Sequence, residues 1–172
     1  MNDAAEKQPP FRFVAHWKRE SAEDEAAVLA FWQRESALAG DAQANARLRE
    51  IVVDARTPQG EVAGVCTAVP MNLPRLGQPV YYYRCFIGSA WRKTRLVFNM
   101  MLSAFEVLEA YARANDFPCI GVVLELENSR FGDSLRTALW PHTQFVYIGK
   151  SRRGLDLRVR YFRGAKLKTP PA

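Results

Sequence analysis

Histidine and cysteine are scarce in this chain, and long apolar runs are missing altogether. The two histidines, His16 and His142, are isolated, with no spacing of partners that would make them metal ligands or bases. Three cysteines, Cys66, Cys85 and Cys119, are far apart, odd in number and set in apolar stretches. That pattern argues against a disulfide framework or a zinc site, and predicts buried, reduced thiols in a cytoplasmic protein without metal. No run of roughly 18 apolar residues occurs, so no membrane span is expected. The opening "MNDAAEKQPPFRF" has no apolar centre of the kind a secretory signal needs.

What is present fits one globular domain. Of 172 residues, 48% are hydrophobic, enough for a substantial core, and no internal repeat is visible. The expected domain runs over 11–163, with flexible tails at 1–10 and 164–172. Net charge is +6, from 24 Lys and Arg against 18 Asp and Glu. This favours an anionic ligand only modestly, because part of the excess lies in the closing "RGAKLKTPPA".

Periodicity gives the elements. Large apolar groups at Phe11, Phe13 and Trp17 suggest a first strand. Ser21 followed by Glu23, Asp24 and Glu25 marks a helix start, and that helix should run to Gly40. "DAQANARLR" reads as a second helix capped by Asp41. Residues 51–55 and 62–69 form a hairpin around Pro58-Gln59-Gly60, and "PVYYYRCFI" is a third β-rich run. A long apolar helix follows from Arg95 to about Ala114, with Leu96, Met100, Val107 and Tyr111 on one face. "CIGVVLELEN" reads as a central strand, with Asn128 capping a helix over 129–140. "TQFVYIGK" and "LDLRVRYF" close the chain as a hairpin. The class is α/β with a mixed sheet, in which the strands on either side of the long helix run parallel.

Between the tyrosine-rich strand and that helix stands "AWRKTRLVFN". Strand-to-helix turns are common phosphate sites because helical N–H groups converge there, usually with glycine allowing close approach. Here three cations replace the glycines. They could hold phosphate by charge, or form an ordinary solvated turn. With Trp91 as a stacking surface and Tyr161, Arg163, Lys166 and Lys168 near the tail, they could also meet nucleic acid. No helix-turn-helix, zinc finger or RNA-recognition motif supports this last reading.

The order of elements resembles the GNAT superfamily of acyl-CoA-dependent N-acyltransferases over residues 11–163. In that family the turn reads Arg/Gln-x-x-Gly-x-Gly/Ala. Arg92 matches its first position, Lys93, Thr94 and Leu96 the variable ones, while Arg95 and Val97 occupy the two glycine sites. Asn128, at the end of the next strand, matches a further family feature. The resemblance implies a GNAT-like, mostly antiparallel sheet with a central parallel pair and flanking helices. It also implies acetyl-CoA or another acyl-CoA as co-substrate, held by residues 92–97 and Asn128. Backbone groups near Phe86 and Ile87 would polarise the thioester, and a small-molecule or protein amine would accept the acyl group. It leaves room for a homodimer.

Two family features are missing. The strand before the turn has Tyr81, Tyr82 and Tyr83 where many relatives carry a carboxylate. The segment after Asn128 lacks the usual tyrosine acid. The carboxylates that remain are Glu125 and Glu127, two apart on a strand and therefore on one face. Either could bind an ammonium or relay its proton. Cys85 has no histidine partner that would make it a nucleophile. The alternative is a GNAT-fold binding or regulatory module without catalysis.

Overall fold

A computed structural model describes residues 10–127 and 135–169. Among them are seven strands and three α-helices in the order β1 (Arg12–Ala15), α1 (Ala22–Arg34), α2 (Asp41–Leu48), β2 (Ile51–Arg56), β3 (Val62–Leu73), β4 (Gln78–Ile87), α3 (Leu96–Ala114), β5 (Gly121–Leu126), β6 (Val146–Lys150) and β7 (Asp156–Tyr161). The strands form one sheet in the order β1-β2-β3-β4-β5-β7-β6. β1 pairs antiparallel with β2, and β7 antiparallel with both β5 and β6. β4 and β5 run parallel, with Tyr81 opposite Val122 and Tyr82 opposite Val123. From there to Leu126, β5 keeps its antiparallel partner β7.

The chain gathers into two compact units. One takes the described residues up to Cys66 with Cys85–Ser103; the other takes Thr67–Arg84 with the described residues from Ala104 onward. Strands β3 and β4 and helix α3 contribute to both. In the first unit α1 buries Val28, Phe31 and Trp32, spaced i, i+3, i+4, against Ala44, Ile51, Val62 and Val65. In the second, Leu73, Val80, Ile120, Val123 and Leu157 make the core.

Several expected boundaries move. α1 starts where Ser21 caps it, the hydroxyl accepting from Asp24 N–H at 3.3 Å, but it ends at Arg34 rather than Gly40. The reason is local: Ser36 sits in the left-handed region at φ 50°, which no continuing helix allows. Asp41 is the first residue of α2 instead of its cap, a place taken by Gly40. On α3 the fully buried stripe is Leu96, Met100, Ala104 and Leu108 with Met101, Phe105 and Ala112, while Val107 and Tyr111 lie half-buried beside it. Beyond β7, where a loose tail is expected, the Lys168 backbone exchanges two hydrogen bonds with the side-chain amide of Gln78.

The helix expected over 129–140 falls partly outside the described residues, as does Asn128. Its described part, 135–140, contains no α-helix. Arg158, only 1% exposed, donates to the carbonyls of Leu135, Thr137 and Ala138, and its guanidinium lies 4.2 Å from the Trp140 ring centroid. Ala138 O also accepts from Tyr147 N–H at 2.8 Å and Trp140 N–H donates to Phe145 O at 3.0 Å, so the backbone here pairs away from a helical ladder. Leu139 instead bridges to Val146.

No described helix is long and apolar enough to cross a membrane, and no described His, Cys, Asp and Glu cluster could hold a metal ion. Cys66 and Cys119 are buried. The Cys66 thiol donates to Val53 O at 3.2 Å, and burial pushes the Cys119 thiol up to about 11.

Candidate functional site

In the first unit, β4 hands over to α3 through a short 3-10 turn, Ser89–Trp91. Gly88 N–H donates to Ala63 O at 2.9 Å, which fixes the strand end against β3. A side chain at Gly88 would meet Ala63 O, Glu35 Oε1 and Phe31 Cε2, each at 3.2 Å. This glycine lies before the motif. The Glu35 carboxylate, just past the end of α1, accepts from Ser89 N–H at 2.9 Å.

Residues 92–97 then turn into the helix, and no residue among them takes a positive φ. That resolves half of the puzzle posed by the missing glycines. The backbone here uses ordinary right-handed and extended conformations, so Arg95 and Val97 sit without strain. What their side chains reduce is room for close approach. Thr94 does the local capping: its hydroxyl donates to Trp91 O at 2.7 Å and accepts from Leu96 N–H at 3.2 Å. Phe98 and Asn99 N–H both bond Arg95 O. Val97 N–H, at the second motif position, has no partner among the described residues. A helix start with such a donor carries partial positive charge.

The cations are arranged unequally. Arg92 folds back, its Nε donating to Ile87 O at 3.2 Å with the guanidinium 5.5 Å from the Phe86 ring centroid. Lys93 and Arg95 are exposed. Leu96 belongs to the core, and Val97 is half-buried. Phe86 also packs edge-on against Phe31, with centroids 5.9 Å apart. Trp91 is half-buried and meets Phe11 edge-on at 5.2 Å, an arrangement that serves packing. Cys85 Sγ lies 4.0 Å from Met100 Sδ.

In the second unit, Glu125 and Glu127 do share a face, and one group gathers both. Arg153, in the turn between β6 and β7, donates through the same nitrogen to Glu125 Oε2 at 2.9 Å and to Glu127 Oε1 at 2.7 Å. Tyr82 of β4 donates its hydroxyl to Glu125 Oε2 at 3.2 Å. Burial, and then the Glu125 charge, raise the Tyr82 phenol above its ordinary value, so it holds its proton at neutral pH. Glu125 is 12% exposed and Glu127 64%. With Oε2 engaged twice, Oε1 of Glu125 is the oxygen left to accept from a ligand.

Sequence reasoning missed Arg153, Tyr82 and Glu35 as members of these clusters. The β5–β7 register, which sets Glu125 opposite Leu157, brings the "SRRG" turn to the carboxylates. No local signal announces Glu35.

No family model and no curated protein matches the sequence. Solved structures do match the fold. A ribosomal-protein-S5-alanine acetyltransferase from Vibrio fischeri aligns with a TM-score of 0.58 at 10% identity, over 91% of this chain and 94% of that one. A GNAT-family acetyltransferase from Streptococcus pneumoniae gives 0.56 at 15%, over 88% and 99%. Another, from Listeria monocytogenes 4b F2365, gives 0.54 at 15%, over 88% and 95%. The protein has the GNAT fold: a mixed, mostly antiparallel sheet with one central parallel pair and flanking helices.

Proposed function

We propose that the protein is an acyl-CoA-dependent N-acyltransferase, in which the turn after β4 holds the CoA pyrophosphate and Glu125 serves the amine. The observation that carries this reading is the start of α3. It follows a strand of a GNAT-fold sheet through one short turn, is closed by the Thr94 hydroxyl, and carries Val97 N–H, unpartnered among the described residues, near the exposed Lys93 and Arg95 in sequence. An anion gains there from the helix dipole and from guanidinium hydrogen bonds, which take over part of what glycine-permitted contacts supply elsewhere.

In the reaction, the amine nitrogen forms a bond to the thioester carbonyl carbon, the carbon–sulfur bond breaks, and the thiolate leaves. Glu125 Oε1 accepts a hydrogen bond from the ammonium and takes its proton, directly or through water. Arg153 and the protonated Tyr82 orient that carboxylate through Oε2. Once acylated, the nitrogen sheds its second surplus proton, which passes through solvent to the departing thiolate. The acceptor is a small-molecule or protein amine.

CoA or acetyl-CoA at ~100 times its dissociation constant should stabilise the native state by about 2.7 kcal/mol, visible as a rise in melting temperature. Arg95→Glu should remove most of this rise, and Arg19→Glu, on an exposed residue far along the chain, should leave it nearly intact. No shift at millimolar CoA would defeat the cradle.

The second reading, a binding module without catalysis, draws on the double engagement of Glu125 Oε2 and on Glu35 occupying Ser89 N–H. Thiol release from acetyl-CoA over a panel of amines separates the two. A transferase should release thiol, and Glu125→Gln should slow release by about 100-fold while leaving the CoA-induced stabilisation unchanged. Stabilisation without release for any amine would favour the module.

A further inference from the structure

An open cleft of about 640 Å³ lies in the second unit, walled by α3, the residues before and at the start of β6, and the end of β7. It is remote from the Glu125 cluster along the strands. Arg160 stands opposite Val122, whereas Glu125, three residues further on, stands opposite Leu157, a separation of roughly 10 Å at about 3.3 Å per residue.

Three guanidinium groups line this cleft, those of Arg113, Arg160 and Arg163, against one carboxylate, Glu109. That carboxylate is already engaged: its Oε1 accepts from Arg163 N–H at 2.7 Å and lies 4.0 Å from Arg113. Arg160 is the best-held of the three. Its guanidinium sits 3.6 Å from the Phe105 ring centroid, and one terminal nitrogen donates to Thr143 O at 3.1 Å. No described carboxylate lies within ion-pair distance of Arg160 or Arg163. Burial lowers the Arg160 pKa from its ordinary value, yet at neutral pH the group stays charged. A half-buried, plane-locked cation with spare donors, on which Glu109 and Glu106 act only at longer range, is a preorganised oxyanion receptor. Val146 and Tyr161, 44% and 50% exposed, supply apolar wall beyond the charges.

The geometry points to a second ligand site, built by Arg160, Arg113 and Arg163, for a small phosphate monoester. The excess of guanidinium over carboxylate suits a phosphate oxyanion, and a cleft of this size, within the ordinary range for small-molecule sites, has room for an organic group attached to it. Tyr161 and Val146 would face that group.

Isothermal titration of the full-length protein with phenyl phosphate, inorganic phosphate and phenol at matched ionic strength tests this. Phenyl phosphate should bind saturably and more tightly than inorganic phosphate, and phenol should not bind. Arg160→Gln should weaken phenyl phosphate by about tenfold or more, the loss expected for a charge-assisted hydrogen bond. If that variant fails to fold, the exposed Arg113→Gln and Arg163→Gln carry the test, each expected to weaken binding severalfold. Arg95→Glu should leave phenyl phosphate affinity unchanged. Absence of saturable binding to the wild-type protein, indifference to all the cleft variants that fold, or equal loss in Arg95→Glu would each overturn the proposal.

Discussion

Asp54→Ala should destabilise the protein by about 3–5 kcal/mol, the cost of removing one partner from a buried charge network. Asp54 is fully buried on β2. Its carboxylate accepts from His16 Nε2 at 2.9 Å and from Arg56 at 2.8 and 3.0 Å. Arg56 in turn reaches Asp24 in the first turn of α1 at 2.5 Å. One carboxylate therefore ties β1, β2 and α1 together. Without it, the half-hidden guanidinium keeps only Asp24, and the buried His16 Nε2 loses its Asp54 partner. Asp54→Asn should cost nearly as much, because the amide nitrogen must point at a donor. Asp24→Ala, at a more exposed site, should cost about 1 kcal/mol or less. Urea unfolding of the three variants checks the order. Equal losses for Asp54→Ala and Asp24→Ala would show that the network does not hold these elements together.

The same network has a pH signature. The hydrogen bond from Arg56 holds the Asp24 carboxyl below its ordinary value, against a smaller opposing effect of burial. A depressed folded-state pKa means stability that is fully present above the unfolded value near ~3.9 and is lost as pH falls through the lower folded value. Asp24→Asn should therefore flatten part of the acid side of the stability curve and leave the neutral region parallel to wild type.

Much of this architecture could be read from the sequence because its signals are local. The tyrosine-rich strand, the apolar stripe of α3 and the β-rich run of β5 each announce themselves within a dozen residues. The helix ends did not, since one left-handed residue, Ser36, outweighed the propensity of the segment after it. At the turn, glycine is expected for close approach to phosphate, and Arg95 and Val97 stand in its place. The observed backbone has no positive φ there, and Thr94, expected as a variable position of the cradle, closes the helix. Glu125 and Glu127 were legible from their spacing. Arg153 and Glu35 were not, because each acts across 28 and 54 residues of chain, respectively, where only strand register and helix packing decide who meets whom.

Gly121→Ala should be among the most damaging single changes in the chain, and Gly64→Ala far milder, although both glycines are buried in strands. At Gly121 a Cβ would lie 2.5 Å from Arg160 O and 2.9 Å from Tyr161 Cα. Both are backbone atoms of β7, and they cannot retreat without opening the β5–β7 ladder that begins at this pair. Overpacking against rigid atoms should cost about 3 kcal/mol or more. At Gly64 the near atoms are Met100 Sδ at 2.8 Å and Ile87 Cδ1 at 2.9 Å, the ends of two flexible side chains, with Phe86 O at 3.3 Å. These can move, so about 1 kcal/mol is expected. The milder variant should carry the sharper functional effect. Its displaced neighbours are Met100 and Ile87, the second at the strand end expected to face the thioester, so Gly64→Ala should fold and yet bind acetyl-CoA more weakly. Denaturant midpoints for both variants, with acetyl-CoA-induced melting shifts for Gly64→Ala, test the pair. A stable Gly121→Ala would mean that β7 yields where its backbone pairing says it cannot.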